Sequence, residues 1–186
     1  MRRKAPKWFG THEEASCWCS SGDTTGLLFV SAVWAGAAFI IAVLALIAVN
    51  GDIAPVHAYA CGALLFMSVW SHLKTVFSDP GAVPANAEPL ASDRSSTISI
   101  CGRCDSYKPP KSHHDRVSNR CISRMDHWCP WTNNAIGAKN QKAFFLFLIY
   151  TDIVSTYLYI LIISHMVRST TRRSLGLVTG CLPTLP

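Results

Sequence analysis

The chain has 186 residues, of which 49% are hydrophobic and 15% charged, and its formal net charge is +6. This composition disfavours an ordinary soluble domain. Because the apolar residues are concentrated in long runs, the positive charge indicates cytosolic loops beside anionic lipid rather than nucleic-acid binding.

The chain begins with a polar segment, residues 1–26, that is predicted to be cytosolic. It contains Cys17 and Cys19, which resemble half of a metal site. No partner pair stands nearby, so they are predicted to be ordinary or lipidated surface cysteines. Residues 27–49 follow without a charged side chain and are long enough to cross about 30 Å of hydrocarbon as a helix.

Two further runs predict transmembrane helices, residues 53–77 and residues 143–166. The first of them is interrupted by His57, His72 and Lys74, and the last two are expected to reach the lipid headgroups. Long and predominantly apolar helices of this kind are atypical of soluble proteins, whose helices usually carry a polar stripe.

The basic residues predict the orientation of the spans. Four of them precede the first span: Arg2, Arg3, Lys4 and Lys7. The turn at residues 50–52 has none, so the N-terminus and the loop after the second span are predicted to be cytosolic. Three spans would place Arg168, Arg172 and Arg173 on the opposite side, against the same tendency.

The loop between the second and third spans has two predicted parts. Residues 78–99 contain the turn signal Asp79-Pro80-Gly81 and a linker rich in Ala, Pro and Ser. Residues 100–142 form a compact cysteine-rich domain, and residues 167–186 a short irregular tail. The predicted fold class is an α-helical integral membrane protein with three transmembrane helices and a zinc-braced, cysteine-rich cytosolic loop.

Metal ligation is predicted from Cys101 and Cys104, a C-x-x-C pair in a reducing compartment, followed by His113, His114 and Cys121. The loop has few apolar residues, and a structural zinc contributes on the order of 10 kcal/mol to the folding of small modules. Spacing alone does not separate the two histidines. The alternative interpretation is a set of unligated thiols.

An acid, an imidazole and a thiol stand within four residues of each other, at Asp126, His127 and Cys129. Cysteine attacks as the thiolate, so a neighbouring histidine can take its proton while an aspartate orients that histidine. Pro130 favours extended backbone at Cys129, where residues two apart point to the same side. The alternative is that Cys129 is one more zinc ligand.

These motifs together resemble the cysteine-rich domain of the DHHC protein S-acyltransferases, and Asp79-Pro80-Gly81 resembles the family's DPG motif. The resemblance rests on an ordered set: Cys101, Cys104, Lys108-Pro109, Ser112-His113-His114, Cys121, Met125 to Trp131, Asn133-Asn134, Gly137 and Asn140. It implies a palmitoyltransferase in which Cys129 takes a fatty acyl group from an acyl-CoA such as palmitoyl-CoA and passes it to a protein cysteine. His127 would be the base and Asp126 its orienter.

The resemblance also implies that His114, rather than His113, joins Cys101, Cys104 and Cys121 around one structural zinc. The family's second zinc site is altered at all four ligand positions, which here are Asp115, Ser118, Trp128 and Ala135. Indole and methyl groups do not ligate zinc, so one zinc is predicted. Trp128 is predicted to fill the volume left open by Ala135.

Further departures concern the end of the chain. The family's fourth span and its TTxE motif have no counterpart, since Thr170-Thr171 is followed by two arginines. The chain is therefore expected to be a divergent, C-terminally truncated member with three spans. Asp152 lies inside the third span, where a carboxylate facing lipid is costly, so it is expected to face the bundle or to snorkel.

The expected partners are the bilayer, acyl-CoA and proteins with cytosolic, membrane-proximal cysteines, and no nucleic acid. CoA phosphates are expected to meet basic loop residues, among them Lys108, Lys111, Arg120 and Arg124, with no single residue assigned. The expected location is the Golgi, the endoplasmic reticulum or the plasma membrane.

The alternative function is a non-catalytic membrane scaffold that keeps this fold. A RING-like ligase would need eight ligands in cross-brace order, which the chain lacks.

Overall fold

The computed structural model describes residues 23–50, 53–84, 87–89 and 98–180, with side chains as far as residue 171. Cys17, Cys19 and much of the predicted linker lie outside these residues. Three helices dominate the described part: α1 (Thr24–Val49), α2 (Pro55–Phe77) and α3 (Gln141–Gly180). All three are long and apolar enough to cross a membrane. This confirms the predicted fold class of a three-span helical membrane protein.

The helix ends follow from local chemistry. The side chain of Asp23 accepts a hydrogen bond from the Thr25 N–H and caps α1, and Pro55 begins α2 at a position where no N–H is needed. By contrast, α3 continues past Met166 to Gly180. The predicted irregular tail is therefore helical up to that glycine.

A tight turn ends α2 and leads into the loop. The Asp79 carboxylate accepts hydrogen bonds from the N–H groups of Gly81 (2.9 Å) and Ala82 (2.8 Å). Gly81 has a φ of 101°, which a residue with a Cβ adopts at a cost. Lys139, at the far end of the loop, donates to the same carboxylate at 2.8 Å. The predicted turn thus joins the start of the loop to its end.

The spans pack through apolar and polar contacts. A cluster of Leu44, Cys61, Leu65 and Val154 joins all three helices. Two hydrogen bonds of 2.8 Å connect α2 to α3, one between Ser68 and Thr151 and one between His57 and Tyr157. Such interhelical bonds replace the hydrophobic driving force that is missing between helices in lipid.

Exposure can be compared with expectation for three polar residues of the spans. His72, expected near the headgroups, has 0% exposure because the bundle encloses it, whereas Lys74 is exposed over the Trp70 ring. Asp152 lies on the outer surface of α3 and does not face the bundle, so snorkelling, the other expected arrangement, stays a prediction. Hydropathy along the chain cannot show which side of a helix its neighbours cover.

Three small antiparallel hairpins form the loop. They pair β1 (Ile100–Cys101) with β2 (Ser106–Tyr107), β3 (Ser112–Asp115) with β4 (Arg120–Ser123), and β5 (His127–Cys129) with β6 (Asn134–Ile136). A short 3₁₀ helix, Pro130–Thr132, connects the last two strands.

The side chain of Asn134 fastens the loop to the membrane helices. Its amide donates to the carbonyl oxygens of Thr75 and Ser78, each at 2.9 Å, at the C-terminal end of α2. These are carbonyls that a helix end leaves without intrahelical partners. The third hairpin is therefore held directly against the end of the second span.

Candidate functional site

The first two hairpins bring four candidate metal ligands together. Cys101 and Cys104 flank the turn of the first hairpin, where the Asp105 N–H donates to the Cys101 carbonyl at 2.8 Å. In the second hairpin His114 is the direct cross-strand partner of Cys121. His113 pairs with Ile122 and is exposed. Because side chains alternate along a strand, His114 faces the cluster and His113 faces away.

The distances fit a tetrahedral zinc site. The four ligand atoms lie within 4.8 Å of one another. Cys104 Sγ is 3.8 Å from Cys121 Sγ and 3.2 Å from His114 Nδ1, and Cys101 Sγ is 3.6 Å from that nitrogen. A zinc with Zn–S bonds of about 2.3 Å requires ligand separations of about 3.5–3.8 Å. The 3.2 Å separation is shorter than this range, so the cluster can hold a metal ion after a small shift of these side chains.

The electrostatics of the cluster also favour a cation. Burial would raise the pKa of Cys101, but the N–H groups of Cys104 and Arg103 and the neighbouring thiols lower it to about 7. Burial and the adjacent sulfurs raise the pKa of Cys121 well above its usual range. Burial, followed by the charge of Arg103, lowers the pKa of His114. The Cys101 thiolate forms readily, and its negative charge disfavours ionisation of the neighbouring thiols. A divalent cation would favour the ionised form of all three cysteines.

The residues at the altered second zinc site are mostly buried. Asp115 is 3% exposed and its carboxylate accepts the Ser118 N–H at 2.6 Å, while Ser118 is itself 2% exposed. In the third hairpin Trp128 stands directly opposite Ala135, which has no exposed surface. This register supports the prediction that the indole replaces a metal by packing.

Cys129, His127 and Asp126 meet at the third hairpin. His127 and Cys129 are alternate residues of β5, so both side chains point to the face opposite Trp128. Asp126 precedes the strand, after a turn in which Arg124 has a φ of 47°. Its Oδ2 lies 3.4 Å from His127 Nδ1.

Exposure differs within this group. The His127 and Asp126 side chains are 44% and 49% exposed, whereas Cys129 is 5% exposed. Within the described chain no hydrogen bond joins His127 to Cys129. The carboxylate of Asp126 can orient the imidazole on the face of β5 that carries the shielded thiol. This face lies where β5 meets α3, since the His127 ring packs edge-on against Phe144 at 5.4 Å.

Several residues around Cys129 were not predicted from the sequence. The Trp131 ring packs against Phe29 of α1 at 4.5 Å, and its carbonyl accepts a hydrogen bond from His72 at 2.9 Å. A buried Asn140 bridges Gly137 and Ala135, at 2.9 and 2.8 Å. A histidine within a membrane span was the available signal, since ionisable residues are costly there unless they have a role.

Comparison with known proteins places this site. Residues 94–183 match the family model described as DHHC palmitoyltransferase. Nearly half of the chain is therefore similar to this family. The match covers the metal cluster, the third hairpin and all of α3.

Three similar DHHC relatives illustrate the extent of the match. Palmitoyltransferase ZDHHC3-A of Danio rerio is 39% identical over 109 residues, 55% of this chain and 34% of the relative. Palmitoyltransferase ZDHHC7 of Mus musculus is 43% identical over 109 residues, 55% of this chain and 35% of the relative. Probable protein S-acyltransferase 13 of Arabidopsis thaliana is 39% identical over 111 residues, 50% of this chain and 37% of the relative. The chain thus spans little more than a third of these DHHC proteins.

Proposed function

We propose that this chain is a protein-cysteine S-acyltransferase whose nucleophile is Cys129. The observation that carries the proposal is a shielded thiol on the same face of β5 as an imidazole that a carboxylate contacts at 3.4 Å. The curated relatives named as palmitoyltransferases support a long-chain acyl-CoA as donor. The proposed compartment is an endomembrane or the plasma membrane, with the loop in the cytosol.

The proposed reaction has two balanced steps. His127 accepts the proton of Cys129, the sulfur attacks the acyl-CoA carbonyl carbon, and the carbon–sulfur bond to CoA breaks. The CoA thiolate leaves with the proton from His127, and Asp126 keeps the imidazole oriented. A substrate cysteine then repeats the exchange at the Cys129 thioester. Thioester exchange is nearly isoenergetic, so the protein's contribution is to align the reactants and move one proton.

A structural zinc would be held by Cys101, Cys104, His114 and Cys121 in this proposal. When bound, zinc closes the first two hairpins onto each other and supplies no chemistry to the acyl group. Ala82 and Ile122 form a bridge between the turn after α2 and the second hairpin. The metal cluster is thereby connected to the membrane helices and to the third hairpin.

The acyl chain is proposed to lie among the spans, close to Cys129. The structure has an apolar cavity of about 330 Å³ between α1 and α3, lined by residues such as Phe39, Leu158 and Met166. At about 1.5 Å per residue, Leu158 lies about 21 Å along α3 from Phe144. One leaflet of hydrocarbon is about 15 Å thick, so this cavity lies deeper than an acyl chain of leaflet length would reach from Cys129, and it is not the proposed acyl site.

Basic residues of the loop are proposed to meet the CoA phosphates. Arg120 donates to the Val83 carbonyl at 3.2 Å and is therefore partly committed to the fold. Lys111 and Arg124 are exposed. Arg124 stands in the turn just before Asp126, which makes it the best placed of the expected residues.

The decisive experiment uses purified, zinc-loaded protein and an alkynyl fatty acyl-CoA. We expect a hydroxylamine-sensitive label on the peptide that contains Cys129, and no such label in Cys129→Ala. His127→Ala should label about 10²-fold or more slowly, the usual contribution of a general base. Cys61→Ala, which removes a buried cysteine of α2, is the matched control and should label like the parent.

Equal labelling of the parent and Cys129→Ala would contradict the proposal. It would favour the alternative, a non-catalytic membrane scaffold that takes up label on another cysteine. Transfer from labelled Cys129 to a cysteine peptide with a membrane anchor tests the second step.

A further inference from the structure

His72 occupies a central position among the three spans. It lies in α2, five residues before the last residue, Phe77, and its side chain has 0% exposure. Its ring packs against Phe147 of α3 with ring centroids 4.7 Å apart. Since Trp34 of α1 also contacts the His72 ring, this one side chain touches both neighbouring spans, α1 and α3.

The hydrogen bonds of His72 define its protonation. The indole Nε1–H of Trp34, on α1, lies 3.1 Å from His72 Nδ1. Indole can only donate, so Nδ1 accepts and the ring proton of the neutral imidazole resides on Nε2. That Nε2–H donates to the Trp131 carbonyl at 2.9 Å. Trp34 thus selects the tautomer that binds the loop.

The accepted carbonyl belongs to the segment that follows the nucleophile. Trp131 lies in the 3₁₀ helix directly after Cys129, and its ring packs against Phe29 at 4.5 Å. Thr132 donates from its hydroxyl to the Cys129 carbonyl at 3.3 Å. A short covalent and hydrogen-bonded path therefore runs from His72 to the backbone of Cys129, separate from the metal cluster.

We propose that His72 is a positioning residue for Cys129. Held by Trp34, it fixes the Trp131 carbonyl and so sets the distance of the Cys129 sulfur from His127 and from an acyl donor among the spans. The inference rests on the proposed function for its catalytic consequence, but the structural tie to Cys129 is testable without acyl transfer. A histidine that served packing alone would not need a main-chain acceptor in the loop.

The test compares four single variants and the Trp34→Phe/His72→Leu double variant of the zinc-loaded protein of 186 residues. His72→Leu removes both hydrogen bonds, His72→Gln retains an N–H donor of similar reach, and Trp34→Phe removes the group that selects the tautomer. His57→Leu is the matched control, because it removes the other α2 histidine that bonds to a neighbouring span, through Tyr157. Two rates are followed by mass spectrometry on the Cys129 peptide: thioester formation from palmitoyl-CoA and alkylation by iodoacetamide.

We expect His72→Leu to form the thioester about tenfold more slowly or worse, while its Cys129 is alkylated faster because the loop is released. Its zinc content should equal that of the parent. His72→Gln should recover most of the thioester rate, and His57→Leu should behave like the parent. Trp34→Phe alone should slow thioester formation. Combined with His72→Leu it should cause little further loss of rate, because both substitutions act through one hydrogen-bonded path.

Parent-like rates in His72→Leu would overturn the inference, as would equal losses in His57→Leu or no recovery in His72→Gln. If the parent forms no thioester but alkylation changes as expected, the proposed function fails while the positioning role stands. If the parent forms the thioester and His72→Leu matches it in both rates, the positioning role fails and the proposed function stands.

Discussion

At the scale of single residues, the two adjacent histidines show what strand register adds to a spacing pattern. Spacing leaves both His113 and His114 within reach of the cysteines. The pairing of His114 with Cys121 places one imidazole beside the sulfurs and the other on the exposed face. A residue pattern supplies the ligand types, and the register of the hairpin supplies their directions.

This difference predicts the zinc content of two variants. The parent should bind one equivalent of zinc, His113→Ala should also bind one, and His114→Ala should lose it, because three thiolates without the imidazole leave the tetrahedral site incomplete. Elemental mass spectrometry measures the zinc content of the purified parent and of both variants.

The altered second site provides the corresponding check. Asp115, Ser118, Trp128 and Ala135 do not form a second tetrahedral ligand set, so two bound equivalents in the parent would refute the prediction. Zinc loss in His113→Ala, with retention in His114→Ala, would refute the assignment of the ligand.

At the scale of elements, the long helices were predictable and the short strands were not. Apolar runs of some 20 residues have one main explanation in a membrane chain, so the three spans are confirmed. Strands of two to four residues are too short to show the alternation of apolar and polar residues that predicts a strand. Their positions depend on the turns and the metal cluster. The buried position of His72 was likewise missed, because burial within a bundle depends on the packing partners of α2.

The turn after α2 gives an element-scale prediction about pH. Burial would raise the pKa of Asp79, but hydrogen bonds from Ala82, Lys139 and Gly81 outweigh it and lower the pKa below 3.8. A lowered folded-state pKa contributes stability that is present above the ordinary pKa and is lost as the pH falls through the folded value. Asp79→Asn should therefore be less stable than the parent at neutral pH, and the difference should shrink in acid below about pH 4.

Thermal unfolding in detergent, followed by intrinsic fluorescence between neutral pH and pH 3, measures this difference. Lys139→Met is the partner variant, because it removes the cation from the same carboxylate. A difference in stability between parent and Asp79→Asn that grows on acidification would contradict the lowered pKa of Asp79.

At the scale of the whole molecule, the arrangement of charges predicts how the chain sits in the bilayer. Arg168 lies 27 residues after Gln141, about 40 Å along α3 at 1.5 Å per residue. That exceeds the hydrocarbon thickness of about 30 Å, so this arginine clears the apolar region. The loop with its Lys and Arg residues lies at the opposite end of α3, as expected for a cytosolic domain.

Cysteine accessibility tests this orientation. In sealed microsomes with the cytosolic face outward, a membrane-impermeant maleimide should label Arg116→Cys, which is on the exposed turn after β3. Asn50→Cys, at the end of α1, should be labelled only after detergent is added. Labelling is scored on the peptide that carries each new cysteine, with the parent as background. Labelling of Asn50→Cys in sealed vesicles would invert the proposed topology.

The shielding of Cys129, which exposes 5% of its surface, has a consequence for the lifetime of the proposed intermediate. Bulk water has little access to a thioester at that sulfur, so spontaneous hydrolysis is slow and a loaded enzyme persists between encounters. Turnover is then governed by how often a membrane-tethered thiol arrives at the third hairpin. If the proposed function holds, we expect the protein to select its clients by their residence at the lipid surface more than by the residues around their cysteines.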